Sequence, residues 1–148
     1  MKVKDCMCSD VFWIAPNTSV NEAAKIMGEK HVGCLPVCDE NQNICGIVTD
    51  RDILLRVVAN DKDTNTCQVS EIMTSNVFTC KEDDEMTNAQ TQMKENQIRR
   101  LPVCDSTNKV VGILTLGNIA QNDTEIGKQQ VSDTLNAICD CQTGKNSE

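Results

Sequence analysis

The chain has 148 residues, 39% hydrophobic and 24% charged, with a formal net charge of −8. That length holds one packed core or two small ones and excludes a large multidomain assembly. The longest apolar run, Val11 to Ala15, is far short of the ~20 residues of a membrane-spanning helix. Met1 to Pro16 also lacks the long apolar centre of a secretory leader, so a cytoplasmic protein is expected. An acidic chain with three aromatics, Phe12, Trp13 and Phe78, offers neither the basic field nor the stacking platforms of a nucleic-acid binder.

Ten cysteines are present. Cys34, Cys38, Cys45 and Cys104 sit in apolar stretches, where a thiol behaves as a small buried hydrophobe, and the expected compartment keeps thiols reduced.

Sliding the sequence by 66 positions aligns Val3–Ile53 with Val69–Ile119 without a gap, and 17 of the 51 pairs are identical. Leu35-Pro-Val-Cys-Asp39 meets Leu101-Pro-Val-Cys-Asp105, and Gly46-Ile-Val-Thr49 meets Gly112-Ile-Leu-Thr115. The chain is therefore two copies of one unit.

In chain order, each copy predicts strand, helix, two strands, helix. Val11–Ala15 reads as a short strand ending at Pro16. Ser19-Val-Asn-Glu22 has capping-box spacing, and Val20, Ala23 and Met27 follow at helical intervals, matched by Met86, Ala89 and Met93. Residues 32–38 and 44–49 read as strands joined by the polar turn at 39–43, which recurs at 105–109. A helix follows each, from Asp50 to about Ala59 and from Leu116 to about Gln121. This divides the chain into a repeat at 3–59, a polar linker at 60–68, a second repeat at 69–121, a terminal helix at 122–140 and a frayed tail at 141–148. Val131, Leu135 and Ile138 form the stripe by which that helix packs on the body. The fold class is α+β: two pseudo-symmetric βαββα repeats packed sheet to sheet, each too small to be secure alone. A small ligand is expected in the clefts between such halves.

The strand-to-helix junction at Gly46-Ile-Val-Thr-Asp-Arg-Asp52 carries the most chemistry. Free amides at a helix start suit a phosphate. Thr49 stands at the N-cap, and Asp52 offers a carboxylate to both hydroxyls of a ribose. Thr and Asp at a helix start also serve as plain caps, so spacing alone leaves both readings open.

The doubled Leu-Pro-Val-Cys-Asp strand and Gly-Ile-x-Thr-x-x-(Asp/Asn) junction resemble tandem cystathionine-β-synthase (CBS) domains, the pair known as a Bateman module, over residues 3–120. The resemblance implies a regulatory, non-catalytic sensor that binds AMP, ADP, ATP or S-adenosylmethionine between its repeats and forms a homodimer. At a first site it implies Thr49 on phosphate or ribose, Asp52 on the ribose diol, Val77 and Phe78 on the adenine, and Arg99 and Arg100 on phosphate, where a guanidinium fork pairs with two oxygens. At a second site it implies Val11 and Phe12 flanking adenine, with Thr115, Asn118, Gly33 and Cys34. There Asn118 replaces the carboxylate and no cation stands at the phosphate positions, so weaker binding or a ligand with fewer charges is expected. With 3–120 assigned, no catalytic or output domain is expected in the chain, and the module would act on a separate regulated protein.

A metal or redox role is the alternative. Cys6-Met-Cys8 and Cys139-Asp-Cys141 could supply four thiolates to zinc, although structural zinc motifs favour C-x₂₋₄-C spacing. An exposed cysteine of these pairs could instead sense oxidants. His31 is the single histidine and reads as a strand-edge residue without a ligand partner. No nucleophile–base pair, P-loop or G-x-S-x-G elbow is present, so no enzyme is expected.

Overall fold

A computed structural model describes residues 1–122 and 125–139 of the chain. The tail at 141–148, with Cys141, lies outside the described residues. The elements are α1 (Val20–Lys30), β1 (Cys34–Cys38), β2 (Ile44–Thr49), α2 (Asp50–Ile53), β3 (Cys80–Lys81), α3 (Met86–Asn96), β4 (Arg100–Cys104), β5 (Val110–Thr115), α4 (Leu116–Gln121) and α5 (Glu125–Ile138). The chain gathers into two compact units. One holds residues 12–77 with 108–110, and the other holds 1–11, 78–107, 111–122 and 125–139.

In the 12–77 unit, Ser19 caps α1 by accepting a hydrogen bond from the Glu22 amide at 3.1 Å, the Ser19 half of the predicted box. The first two amides of the helix donate to Cys67 O and Thr64 O, both at 2.9 Å. The polar linker therefore completes the cap. Val20, Ala23 and Met27 are buried with Leu35, Val37, Val48, Val57, Val69 and Ile72. All five residues of β1 are buried, the mark of a strand covered on both faces. β1 pairs antiparallel with β2, Cys34 opposite Thr49 and Val37 opposite Gly46. In the connecting turn Asp39 Oδ1 accepts from the amides of Asn41 (2.9 Å) and Asn43 (3.0 Å), an Asx turn.

Three predicted boundaries change. The Val11–Ala15 strand contracts to Ile14, whose parallel bridge to Val37 is the only pairing it makes there. Val11 and Phe12 precede that bridge in irregular backbone, because the chain pairs only where Ile14 meets Pro36 O and the Cys38 amide. β1 begins at Cys34 rather than Val32, since the chain is still leaving the left-handed cap residue His31 (φ 55°). The helix after β2 keeps α geometry only to Ile53 and continues as a π-helical turn over Leu54–Val58.

The other unit repeats the plan. Its sheet has the order β3-β4-β5, with β3 parallel to β4 through Cys80 opposite Val103. Met86, Ala89 and Met93 of α3 are buried with Leu101, Val103, Leu114 and Ile119. Val77 and Phe78 lie in irregular backbone ahead of β3 rather than on the predicted strand. The terminal helix packs on α3 and α4 through half-buried Val131 and buried Thr134 and Ile138, whereas Leu135 is 42% exposed. The real stripe runs 131, 134, 138, because Leu135 falls one position round the helix from Thr134.

The units do not follow the repeats. Val3 and Cys6 belong to the first sequence copy but are buried among Met86, Leu101 and Leu114 of the second. Val69 and Ile72 belong to the second copy but are buried among Val20, Leu35 and Val48 of the first. Cys8 and Ile113 exchange backbone bonds of 2.9 and 3.0 Å, and Thr74 and Ile47 do the same at 2.9 Å each. Each unit thus takes in a segment from the other copy. Among the described residues no helix is long and apolar enough to cross a membrane.

Candidate functional site

The Thr49–Asp52 junction is built by a closed capping box. Thr49 Oγ1 accepts from the Asp52 amide at 3.0 Å, and Asp52 Oδ2 accepts from the Thr49 amide at 3.0 Å. Both candidate side chains are therefore also caps. Thr49 is 5% exposed. Asp52 keeps its second oxygen, Oδ1, 3.7 Å from Arg56 Nη1, a long ion pair that leaves the oxygen available to a hydroxyl. Arg56 in turn donates to Ile72 O at 2.7 Å, which holds the guanidinium in place. Sequence reasoning passed over Arg56; its i, i+4 spacing from Asp52 was the available signal.

The same box recurs at Thr115, whose Oγ1 accepts from the Asn118 amide at 3.0 Å while Asn118 Oδ1 accepts from the Thr115 amide at 3.1 Å. Here the chemistry of the remaining atom is reversed. Asn118 spends its oxygen on the cap and presents an NH₂ donor, where Asp52 presents an anionic acceptor.

Within each unit the structure joins residues that the sequence reading divided between two sites. Gly33 O accepts from the Asp50 amide at 3.0 Å, and Cys34 pairs with Thr49. The Gly33 and Cys34 positions thus border the Thr49–Asp52 box. Equivalently, Arg99 O accepts from the Leu116 amide at 2.9 Å, so Arg99 and Arg100 border the Thr115–Asn118 box. The first border is acidic: a β-carbon on Gly33 would stand 3.2 Å from Asp50 Oδ2. The second carries two guanidinium groups. Arg100 Nη1 is shielded from solvent and has no hydrogen-bond partner among the described residues. A buried donor in that state is costly until an acceptor reaches it.

The adenine candidates mark where the chain changes unit. It passes between units from Val11 to Phe12 and again from Val77 to Phe78, equivalent points of the two copies. Phe12 is half-buried against its core, and Phe78 is 39% exposed. Lys30 Nζ lies 4.4 Å from the Phe12 ring centroid, a cation that sequence reasoning did not connect with this site.

The thiols divide by burial. Cys38 and Cys104 are deeply buried, as the apolar reading expected, Cys34 is 8% exposed, and Cys45 is only half-buried. Burial, with Asp84 and Cys104 nearby, pushes the Cys80 thiol up to about 12. Burial also raises Cys104. Of the proposed zinc thiols Cys6 is buried while Cys8 and Cys139 are exposed. Among the described residues no three His, Cys, Asp or Glu side chains are grouped to hold a metal ion. His31 is exposed at the C-terminus of α1, off the strand edge where it was expected.

The chain is similar to several known proteins. It is 39% identical over 120 residues to the CBS domain-containing protein YhcV of Bacillus subtilis, covering 81% of this chain and 84% of that one. Among solved structures, it resembles Hypoxic Response Protein I with two coordinated zinc ions (TM-score 0.77, 28% identity, 84% of this chain and 100% of that one). It also resembles the CBS domain pair of MJ0100 in complex with 5'-methylthioadenosine and S-adenosyl-L-methionine (TM-score 0.73, 34% identity, 82% and 94%). A fourth likeness is to CBSX2 in complex with AMP (TM-score 0.70, 32% identity, 81% and 93%). The CBS domain profile matches residues 3–59 and 69–124. With two matches that together span most of its length, and the same strand-to-helix box built twice, the chain belongs to the CBS domain family.

Proposed function

We propose that this protein is a regulatory module that binds an adenosine-containing ligand and passes the signal to a separate protein, without catalysing a reaction itself. Thr49 and Asp52 are the residues proposed to contact a ribose, Arg99 and Arg100 a phosphate, and Val77 and Phe78 an adenine. Thr115, Asn118, Val11, Phe12, Gly33 and Cys34 are the residues proposed for a second, weaker site. The observations that carry this reading are two polar atoms, each within its own unit: Asp52 Oδ1, an anionic acceptor held only by the long pair to Arg56, and Arg100 Nη1, a buried cationic donor with no hydrogen-bond partner among the described residues. A ribose diol and a phosphate are the complementary groups. The adenosyl ligands named for MJ0100 and CBSX2 support the same class.

The module works as a homodimer that nucleotide binding reshapes, which requires the ligand to favour one arrangement over another. Thermal-shift and calorimetric titration with AMP, ATP and S-adenosylmethionine test the ligand class. At least one of them raises the melting midpoint, and Asp52→Ala or Arg100→Met weakens it roughly tenfold. No response to any of the three overturns the proposal. Light scattering with and without the bound ligand tests the dimer and its change of shape.

A further inference from the structure

Lys30 ends α1, and the chain turns back at His31 to deliver Gly33 and Cys34 to the start of β1. Ile14 runs parallel to Val37, so Phe12, two residues earlier, lies toward the same Cys34 end of that strand. Lys30, Phe12, Gly33 and Cys34 all belong to one compact unit, and the Lys30 ammonium rests 4.4 Å from the Phe12 ring centroid.

The duplicated sequence supplies an internal comparison. Where the second copy carries Arg99 and Arg100, the first has Gly33 and Cys34; where the first carries Lys30, the second has Asn96. The second copy has cations at the strand start in addition to Lys94 in the last turn of α3, whereas in the first copy Lys30, at the end of α1, is the cation nearest in sequence before Gly33 and Cys34. A cation is needed there, because the Asp50 carboxylate beside Gly33 would repel a phosphate that no cation balanced.

We infer that Lys30 is the phosphate-recognising residue of the Phe12-side site, resting on the Phe12 ring and pairing with the phosphate of a bound adenine nucleotide. The inference rests on the adenosyl reading above and revises its second site, which becomes selective for nucleotide over nucleoside. A cation–π contact at an exposed position is weak, whereas an ammonium–phosphate hydrogen bond is charge-assisted, so the exchange runs toward the ligand. The four-carbon stem of lysine allows the movement without a backbone change.

Calorimetric titration of AMP and of adenosine into the wild type, Lys30→Met, Lys30→Arg and Arg100→Met separates the possibilities. Lys30→Met weakens AMP about tenfold at one class of site while adenosine there changes less than twofold. Lys30→Arg restores AMP at that class, and Arg100→Met acts on the other. AMP affinity unchanged by Lys30→Met, or an equal loss for AMP and adenosine, overturns the role of Lys30 and leaves the adenosyl reading standing. So does binding of S-adenosylmethionine without binding of AMP. Failure of AMP, adenosine and S-adenosylmethionine alike overturns the adenosyl reading and the role of Lys30 with it.

Discussion

Gly112 faces Met7 so closely that a β-carbon on the glycine would stand 2.8 Å from the Met7 sulfur and 2.9 Å from Cys8 O. Gly46 meets Met73 and Thr74 in the same way, at 2.6 Å from the sulfur and 2.9 Å from the backbone oxygen. These glycines admit the segment that each unit takes from the other sequence copy. Gly46→Ala and Gly112→Ala are expected to destabilise by about 1–3 kcal/mol, because the backbone oxygen cannot move aside as a methionine side chain can. Gly28→Ala, with nothing within 4 Å of the new carbon and a helix interior around it, is expected to stabilise by about 0.5–1 kcal/mol. Urea unfolding of the three variants checks the ordering.

Asp52 combines a cap and a carboxylate oxygen held only by the long pair to Arg56, and two substitutions separate them. Asp52→Asn keeps an oxygen for the Thr49 amide, as Asn118 does for Thr115, and is expected to alter stability by less than about 0.5 kcal/mol. Asp52→Ala loses the bond and about 1 kcal/mol. Both are expected to weaken adenosyl binding. An Asp52→Ala protein that melts lower yet binds as tightly as the wild type would confine the carboxylate to capping.

The thiols are expected to react in order of burial. Iodoacetamide under native conditions modifies exposed Cys8 early and Cys80, 4% exposed, last, as read by mass spectrometry of digests. Cys80 also sets a pH dependence. Its thiol is raised from 9.0 to about 12 in the folded chain, so its contribution is fully present below pH 9. Above that the unfolded chain ionises first, and the contribution is lost as pH rises toward 12. Tyrosine, absent from this chain, cannot mask the effect. Melting midpoints should fall less steeply between pH 9 and 11 in Cys80→Ala than in the wild type.

The anchoring of α5 is expected to depend on Ile138 and not on Leu135. Ile138→Ala removes a side chain 7% exposed in the core, at a cost of about 2–4 kcal/mol, whereas Leu135→Ala changes stability by less than about 0.5 kcal/mol. Equal losses in denaturant titration would restore Leu135 to the packed face.

Much of this could be read directly from residue order. The Ser19 cap, the buried Met27 and Met93, and the Asp39 turn each depend on neighbours within four residues, where spacing is informative. Thr49 was legible as a cap for the same reason, while the reciprocal bond from its amide to Asp52 emerged only in the structure. Leu135 was misjudged because i, i+4 spacing admits two faces of a helix, and only the body beneath α5 selects one. Val77 and Phe78 resembled a strand by composition, but a strand needs a partner, and none of their apolar character specifies one.

By residue order alone, the duplication, the type of most elements and the cap positions Ser19 and Thr49 were legible, since all follow from local geometry repeated at one fixed offset. Three-dimensional packing decided which segment completes which core, and which cation lies beside which aromatic ring. Val3 and Val69 are equivalent in sequence, so no offset could reveal that each is buried with the other copy's strands. Lys30 and Phe12 are 18 positions apart and show no joint pattern. Their meeting depends on β1 pairing with Ile14 while α1 turns back at His31, and long-range closure of that kind is selected by burial of the whole core.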